Sequence, residues 1–521
     1  MSLAKVGEER ANPRSLLAWR ACGLWCRTMP ATDILLCTLN ARFSHASLGL
    51  RYLHANLGDL APRAAIHEFT IHDQPAVIVE RLLAHSPRIV GFGVYIWNLH
   101  ETRRVIGILK KIAPHIHVVI GGPEVTHEHH GEPIVALTDV LITGEADLTF
   151  RQVCVDLLAG IPVPKVVDSP KPDVTALVLP YSLYSDNDLA HRLIYVEASR
   201  GCPFTCEFCL SSIENGVRTF ELESFLAAMD NLLTRGCRTF KFVDRTFNLS
   251  PRIAAAILEF FIARWRDGLF LHFEMVPDRL PDSIKELISR FPAGGVQFEI
   301  GIQSFTPAVG ELISRRMDRG RTEANFRWLR AHTGVHIHAD LIIGLPGETL
   351  ETFAASYDAL YHLDPQEIQV GILKLLKGTP LSRHRDAFAM RYNAEPPYDL
   401  LASRDFDFPT MQRLKRFARY HELFINSGKF THGLALLLNG HTSVFQALLT
   451  FADWMWATTG QEHALSQVRQ YELVHTYLCQ QGIAQTDATN ELARDFLANG
   501  SRKHLPEILR PAVEGSARTH A

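Results

Sequence analysis

The sequence predicts an α/β protein in three parts: an N-terminal Rossmann-like doubly wound domain, a partial (βα)6 TIM-like barrel and an α-helical C-terminal domain. Three observations predict it. Apolar runs alternate with amphipathic stretches from residue 33 to about 160, and again from 192 to 376, the pattern of parallel strands joined by crossover helices. A stretch carrying Pro162, Pro164, Pro170, Pro172 and Pro180 separates the two series. Beyond residue 401 the helical period continues without a strand signal, as in Leu414, Phe417, Ala418 and His421 on one face. The chain therefore divides into a disordered extension over 1–30, the Rossmann-like domain over 31–160 and an ordered linker over 161–190. The barrel follows over 191–376 and the helical domain over 377–521.

In the first series Ile34-Leu35-Leu36-Cys37 reads as a buried strand before a helix over 47–57. A strand over 66–69 and a helix over 77–83 follow, then a strand over 89–94 and a helix over 101–113. The strand over 117–120 ends in Gly121-Gly122-Pro123, and the strand over 140–142 ends in Thr143-Gly144-Glu145 before a helix over 150–158. In doubly wound sheets ligands sit beyond the carboxyl ends of the strands. Those ends carry Asn40, Tyr95, Trp97, Gly121, Gly122, Gly144 and Glu145, and glycine there lets the backbone approach a flat or phosphorylated ligand. In the second series strands are expected near 193–198, 239–244, 270–276, 295–303, 337–343 and 367–373. Helices are expected near 221–235, 252–266, 281–290, 321–331 and 350–362, with a sixth just after the last strand. Six right-handed units suit a partial barrel with its chemistry at the carboxyl ends of the strands.

Composition bounds the function classes. A formal charge of −3 on 521 residues gives no reason to expect a nucleic acid or an anionic membrane as partner. No uninterrupted apolar run reaches 18 residues, which argues against a membrane span. Nine cysteines in a chain this long do not form a disulfide scaffold, so a reducing cytoplasm is expected. The first 28 residues show no signal-peptide order. Met29 precedes the first strand and is an alternative start to Met1, and Cys22 and Cys26 read as incidental.

The motif that carries chemistry is Cys202-Pro203-Phe204-Thr205-Cys206-Glu207-Phe208-Cys209, placed after the first barrel strand and the Ser199-Arg200-Gly201 turn. Three thiolates on one loop suit a soft metal centre. Zinc would need a fourth ligand at a defined offset, and no second C-x-x-C or H-x-x-x-H stands nearby. A four-iron cluster held by three protein thiolates keeps one iron open. The fourth barrel strand alternates, with Phe298, Ile300 and Ile302 facing one way and Gln297, Glu299, Gly301 and Gln303 the other. A polar inner face implies a lumen that holds a ligand. Asp244 tops the second strand, and Glu274 lies on the third.

The C-x-x-x-C-x-x-C spacing resembles the signature of the radical S-adenosylmethionine (SAM) superfamily. The resemblance implies a [4Fe-4S] cluster on Cys202, Cys206 and Cys209, whose open iron chelates SAM, and reductive cleavage of SAM to a 5′-deoxyadenosyl radical. Glu-Ile-Gly-Ile-Gln-Ser at 299–304 resembles the fourth-strand motif and implies Glu299 and Gln303 as SAM or substrate contacts. Asp244 resembles the position that reaches the SAM amino group, and Gly344 the fifth-strand glycine beside the adenine. Glu274 joins them, and Arg315 or Arg316 is placed to hold the SAM carboxylate. Glu348 suits the dipole at the start of the next helix.

The Rossmann-like segment resembles the cobalamin-binding domain that precedes the radical SAM core in one large subfamily. The matching residues are Gly-Gly-Pro-Glu at 121–124 and Thr-Gly-Glu-Ala at 143–146. The implied corrin contacts are Asn40, Tyr95, Trp97, Gly121, Gly122, Gly144 and Glu145. The D-x-H-x-x-G motif that supplies the lower cobalt ligand is absent, since no Asp of this domain is followed at +2 by His. His127 and His130 follow the Gly-Gly-Pro-Glu loop and are placed to approach a corrin, whereas His129, His336 and His338 read as solvated or core-satisfied. The resemblance implies methylation, or else rearrangement or cyclisation, of an unactivated carbon in a small-molecule or peptide substrate. It also implies an electron donor such as flavodoxin or ferredoxin. The C-terminal part resembles an uncharacterised extension and is expected to form a lid or substrate pocket. Two other readings stay open. One is a cobalamin-independent radical SAM enzyme whose first domain binds substrate or a partner. The other is a non-catalytic iron–sulfur or zinc protein, for which Cys237 is the only nearby thiol.

Overall fold

The computed structural model describes residues 32–213, 216–499, 505–510 and 512. The expected N-terminal extension, with Met1, Cys22, Cys26 and Met29, lies outside the described residues, as does most of the tail after Gly500.

Strands β1 (Ile34–Asn40), β2 (Ala64–Thr70), β3 (Ile89–Gly93), β4 (His117–Gly121), β5 (Val140–Thr143) and β6 (Val166–Asp168) form a parallel sheet in the order β2-β1-β3-β4-β5-β6. Neighbouring residues of β1 serve opposite faces, as the two-residue period requires. Leu35 and Cys37 join Val90, Val118 and the helices Pro75–Leu83 and Leu99–Ile112 in one apolar cluster. Ile34 and Leu36 join Val119 and the helices Leu48–Ala55 and Thr149–Ala159 in another. This is the doubly wound layering expected. The strand order reverses at β1, between β2 and β3, which opens a crevice beyond the carboxyl ends.

The segment 161–190 is more than a linker. Val166–Asp168 extends the sheet by pairing with β5, and Ser185 and Asp188 close a capping box on the helix Asp186–His191. Three strand residues set between prolines leave too short a run for periodicity to show.

The second sheet runs β7 (Ile194–Val196), β10 (Thr239–Phe242), β11 (Phe270–Met275), β12 (Val296–Gln303), β13 (His336–Ile343) and β14 (Glu367–Ile372), each strand parallel to its neighbour. Sequential order with two free edges is the partial barrel expected. Between β7 and β10 lies an antiparallel hairpin, β8 (Ser199–Cys202) with β9 (Gly216–Thr219), which the sequence reading missed because both strands are short and polar.

The helix expected directly after the last barrel strand is not there. A 3-10 turn over Pro380–His384 and the small pair β15 (Arg391–Tyr392) and β16 (Leu400–Ala402) intervene. The helix Phe408–His421 then packs on β14. The C-terminal helices continue with Thr431–Leu438, Val444–Thr459, Gln467–Gln480 and Gln485–Ala498. One apolar cluster runs from the barrel into them, through ring contacts such as Tyr357–Phe417 at 5.7 Å and Phe417–Phe445 at 4.9 Å.

Candidate cofactor sites

The hairpin strand β8 delivers Cys202 to the carboxyl-end mouth of the barrel, and the turn that follows places Cys206 and Cys209, with the Cys209 N–H on the Cys206 carbonyl at 3.1 Å. All three are free thiols. They line one open cavity of about 720 Å³ together with Glu274, Glu299, Gln303 and Arg315 from the barrel. Arg315 is held against both sides of it: one guanidinium nitrogen lies 3.5 Å from Cys206 Sγ, and another donates to the Gly301 carbonyl. Glu299 accepts from His272 Nε2 at 2.9 Å and lies 3.5 Å from Lys241 Nζ. The His272 hydrogen bond draws its carboxyl down to about 2. Glu274 sits 3.3 Å from Arg245, and burial raises its carboxyl despite that partner. Gln303 adopts φ +70° at a register shift in β12. The bulge aims its side chain into the cavity, and its buried Oε1 has no hydrogen-bond partner.

Two residues expected at the SAM site, Asp244 and Gly344, stand elsewhere. Asp244 is buried off this cavity, accepting from the Ala198 N–H at 3.0 Å and the Ser199 hydroxyl at 2.6 Å, and burial pushes its carboxyl up to about 6. It fastens β10 to the strand that delivers Cys202. Gly344 has φ +91°, and a Cβ there would lie 2.5 Å from Leu400 Cδ2, so this glycine serves contact with β16 rather than the cysteine cavity. Glu348 is 0% exposed and precedes Thr349, the N-cap of the helix Leu350–Tyr361. Its expected pairing with the helix dipole is therefore replaced by burial, which pushes its carboxyl up to about 8. Arg316 is exposed. Cys237 is buried two residues before β10, its thiol donating to the Thr239 carbonyl at 3.6 Å. Asp340, which the sequence reading passed over, lines the cavity with His338 Nε2 at 3.1 Å. The alternation His336, His338, Asp340 on β13 was the available signal.

A second open cavity, of about 700 Å³, lies beyond the carboxyl ends of β3, β4 and β5. Of the expected residues Tyr95, Gly121, Gly122 and Gly144 line it. Gly122 has φ +118°, and a Cβ there would stand 2.4 Å from the Val94 carbonyl oxygen, so no other residue fits that turn. Asn40, Trp97 and Glu145 are set back from the lining. Asn40 donates to the His45 carbonyl at 2.9 Å, Trp97 stacks on Tyr95 at 4.5 Å, and Glu145 pairs with Arg200 and Arg218. Neither His127 nor His130 reaches the lining; His127 lies against Gly378, and the His130 ring contacts His129 at 4.5 Å.

The sequence reading missed Arg200 and Asp147. Arg200 belongs to the barrel yet lines this cavity of the first domain. It sits 2.9 Å from both Glu145 and Asp147 and 2.8 Å from Glu197, with its guanidinium 4.5 Å above the Tyr52 ring. Its place two residues before Cys202 was the signal.

Both cavities fit the groups that the motifs imply. Glycine edges facing the apolar walls of Leu50, Phe92 and Phe150 suit a broad flat ring. Three thiols suit an iron–sulfur cluster.

The superfamily comparison agrees with this layout. The family model described as Radical SAM superfamily matches residues 196–360, and the B12 binding domain matches 34–154. Residues 196–360 are therefore similar to the radical SAM superfamily, and residues 34–154 to B12-binding domains. Its C-terminal residues 386–520 match the family described as Protein of unknown function (DUF4080). Among similar proteins, the cobalamin-dependent radical SAM methyltransferase TokK of Streptomyces tokunonensis is 24% identical, over 75% of this chain and 61% of that protein. The chain thus spans about three-fifths of the length of that relative. The solved structure of the radical SAM methyltransferase TsrM from Kitasatospora setae, with cobalamin and a [4Fe-4S] cluster bound, superposes with a TM-score of 0.57. It is 18% identical, over 71% of this chain and 82% of that one. The cobalamin-dependent SAM radical enzyme OxsB superposes with a TM-score of 0.59 at 13% identity, over 94% of this chain and 81% of that one. Both structures share the fold. Among the described residues no helix is long and apolar enough to cross a membrane.

Proposed function

We propose that this chain is a cobalamin-dependent radical SAM enzyme that methylates an unactivated carbon of a small-molecule or peptide substrate in a reducing compartment. The observation that carries the reading is Arg200, which lines the glycine-edged cavity two residues ahead of Cys202, which lines the thiol cavity. One short strand therefore serves both sites. When bound, the cluster with SAM supplies radical chemistry and the corrin supplies a methyl group.

The chain's own residues hold and shield these groups. Cys202, Cys206 and Cys209 ligate the cluster. Glu274, Glu299, Gln303 and Arg315, which share the lining of the thiol cavity, would hold the polar end of SAM. Asp244 acts from outside the cavity by anchoring the cysteine-bearing hairpin. Phe204 and Phe208 add an apolar wall to the thiol cavity. Tyr95, Gly121, Gly122 and Gly144 border the corrin. Among the described residues that line this cavity none is a histidine. The name of TokK as a methyltransferase favours methylation over rearrangement or cyclisation. A small one-electron protein such as flavodoxin or ferredoxin supplies the electron.

The test is anaerobic reconstitution with iron, sulfide and hydroxocobalamin, followed by SAM and a reductant. The expected outcome is release of 5′-deoxyadenosine by the wild type and its loss in Cys206→Ala along with the cluster absorbance. Well-clustered protein that releases none would falsify the enzyme reading. Protein that cleaves SAM yet never retains corrin would leave a cobalamin-independent enzyme.

A further inference from the structure

After β14 the chain touches the loops of both cofactor cavities before it reaches the C-terminal helices. Lys377 is the first contact. Its side chain is 9% exposed, and Nζ lies 3.1 Å from Glu124 Oε1 and 2.6 Å from Glu132 Oε1. Glu124 also accepts from the Tyr398 hydroxyl. It follows Gly121-Gly122-Pro123, whose glycines edge the cavity read as the corrin site. Gly378 donates its N–H to Glu128 Oε1 at 2.8 Å. Three residues on, the N–H of the fully buried Leu381 reaches the Glu207 carbonyl at 3.0 Å. Glu207 stands between Cys206 and Phe208 and is 2% exposed. Its carboxylate takes Arg383 on one oxygen and His384 Nε2 at 2.8 Å on the other, with the Ser314 hydroxyl at 2.6 Å.

The eight residues 377–384 are therefore tied at one end to the Gly-Gly-Pro-Glu loop and at the other to the cysteine loop. Each tie centres on a buried carboxylate, Glu124 at one end and Glu207 at the other, with at least two donors apiece, which leaves them few alternative arrangements. Pro380 and the 3-10 turn over Pro380–His384 stiffen the chain between them.

We propose that residues 377–384 form a strap that couples the two cofactor sites, with Lys377 and His384 as its positioning residues. A ligand that settles the Gly-Gly-Pro-Glu loop shifts Lys377 and, through Leu381 and His384, the loop carrying Cys206. Because coupling is a free energy shared by two sites, the effect runs equally in reverse. The strap rests on the reading of these cavities as corrin and cluster–SAM sites.

Two measurements test it. In cluster-loaded protein, hydroxocobalamin is titrated by absorbance with and without SAM. The wild-type corrin affinity is expected to change by about 5-fold or more when SAM is present. Lys377→Met brings that ratio towards one while cluster content stays the same, and Lys377→Arg restores it. In the cofactor-free chain, Lys377→Met raises amide hydrogen exchange across residues 202–209, although the contacts of Lys377 are with Glu124, Glu132 and the Tyr398 ring and none is with the cysteine loop. A folded Lys377→Met chain with an unchanged ratio or unchanged exchange overturns the strap. Should that variant not fold, His384→Gln gives the reciprocal arm: exchange across 121–132 rises, and its constancy overturns the strap. A wild type that holds neither cluster nor corrin defeats the functional reading instead, and the exchange arm still decides the strap.

Discussion

Arg200 is where the chemistry of two domains meets in one side chain. Its guanidinium serves Glu145, Asp147 and Glu197 at 2.8–2.9 Å while only 14% of the side chain is exposed. A planar fork can satisfy several carboxylates at once, and a single ammonium cannot. Burial pushes Glu197 up to about 7, and the charge of Arg200 is the main force opposing that rise. Removing the guanidinium would leave Asp147 and Glu197 buried without their cation, while Glu145 keeps Arg218, so Arg200→Met is expected to cost about 3–5 kcal/mol of stability in urea unfolding. Arg200→Lys falls between that variant and the wild type. A loss below about 1 kcal/mol for Arg200→Met would mean the network is solvated in solution, as for an exposed pair.

Among the elements, β13 shows how a glycine turns a strand into a platform. Gly344 follows β13 at φ +91°, and the space a Cβ would fill is held by Leu400 of β16. Gly344→Ala therefore combines backbone strain with a clash, and is expected to lower unfolding free energy by about 1–3 kcal/mol. A double-mutant cycle with Leu400→Val, read by thermal melting, should show the clash as a coupling between the two sites. Additive costs would place the strain in the backbone alone. The position of Gly344 was legible in the sequence, and its neighbour was not, because Leu400 lies beyond the end of the barrel. The same holds for Asp244, whose partners Ala198 and Ser199 sit a hairpin, a helix and a strand upstream. By contrast, the alternation of β12 foretold a polar lumen, and Glu299 and Gln303 do line it. A two-residue period is local, whereas the partner of a buried charge is not. Arg200 and Glu145 meet across 55 residues of chain, and the polar hairpin of β8 and β9 carries no apolar rhythm to read.

On the scale of the whole molecule, barrel and C-terminal helices share one apolar core, so a buried titratable group there reports on global unfolding. Glu348 is such a group, with burial pushing its carboxyl up from 4.5 to about 8. Between those values the folded chain keeps its proton and the unfolded chain releases it, so the folded state binds more protons. Stability from this group is fully present below pH 4.5 and is lost as pH rises towards 8, at up to about 1.4 kcal/mol per unit. His421 acts on the acid side. Burial beside the Tyr357 hydroxyl lowers it from 6.5 to about 3, so its contribution is lost as pH falls through that range. Glu348→Gln keeps the shape of the neutral acid and removes its titration. The unfolding free energy of Glu348→Gln relative to wild type should therefore rise by about 2–4 kcal/mol between pH 5 and pH 8. Urea midpoints and slopes at the two pH values measure it, and parallel pH profiles for the two proteins would show that Glu348 is ionised in the folded chain.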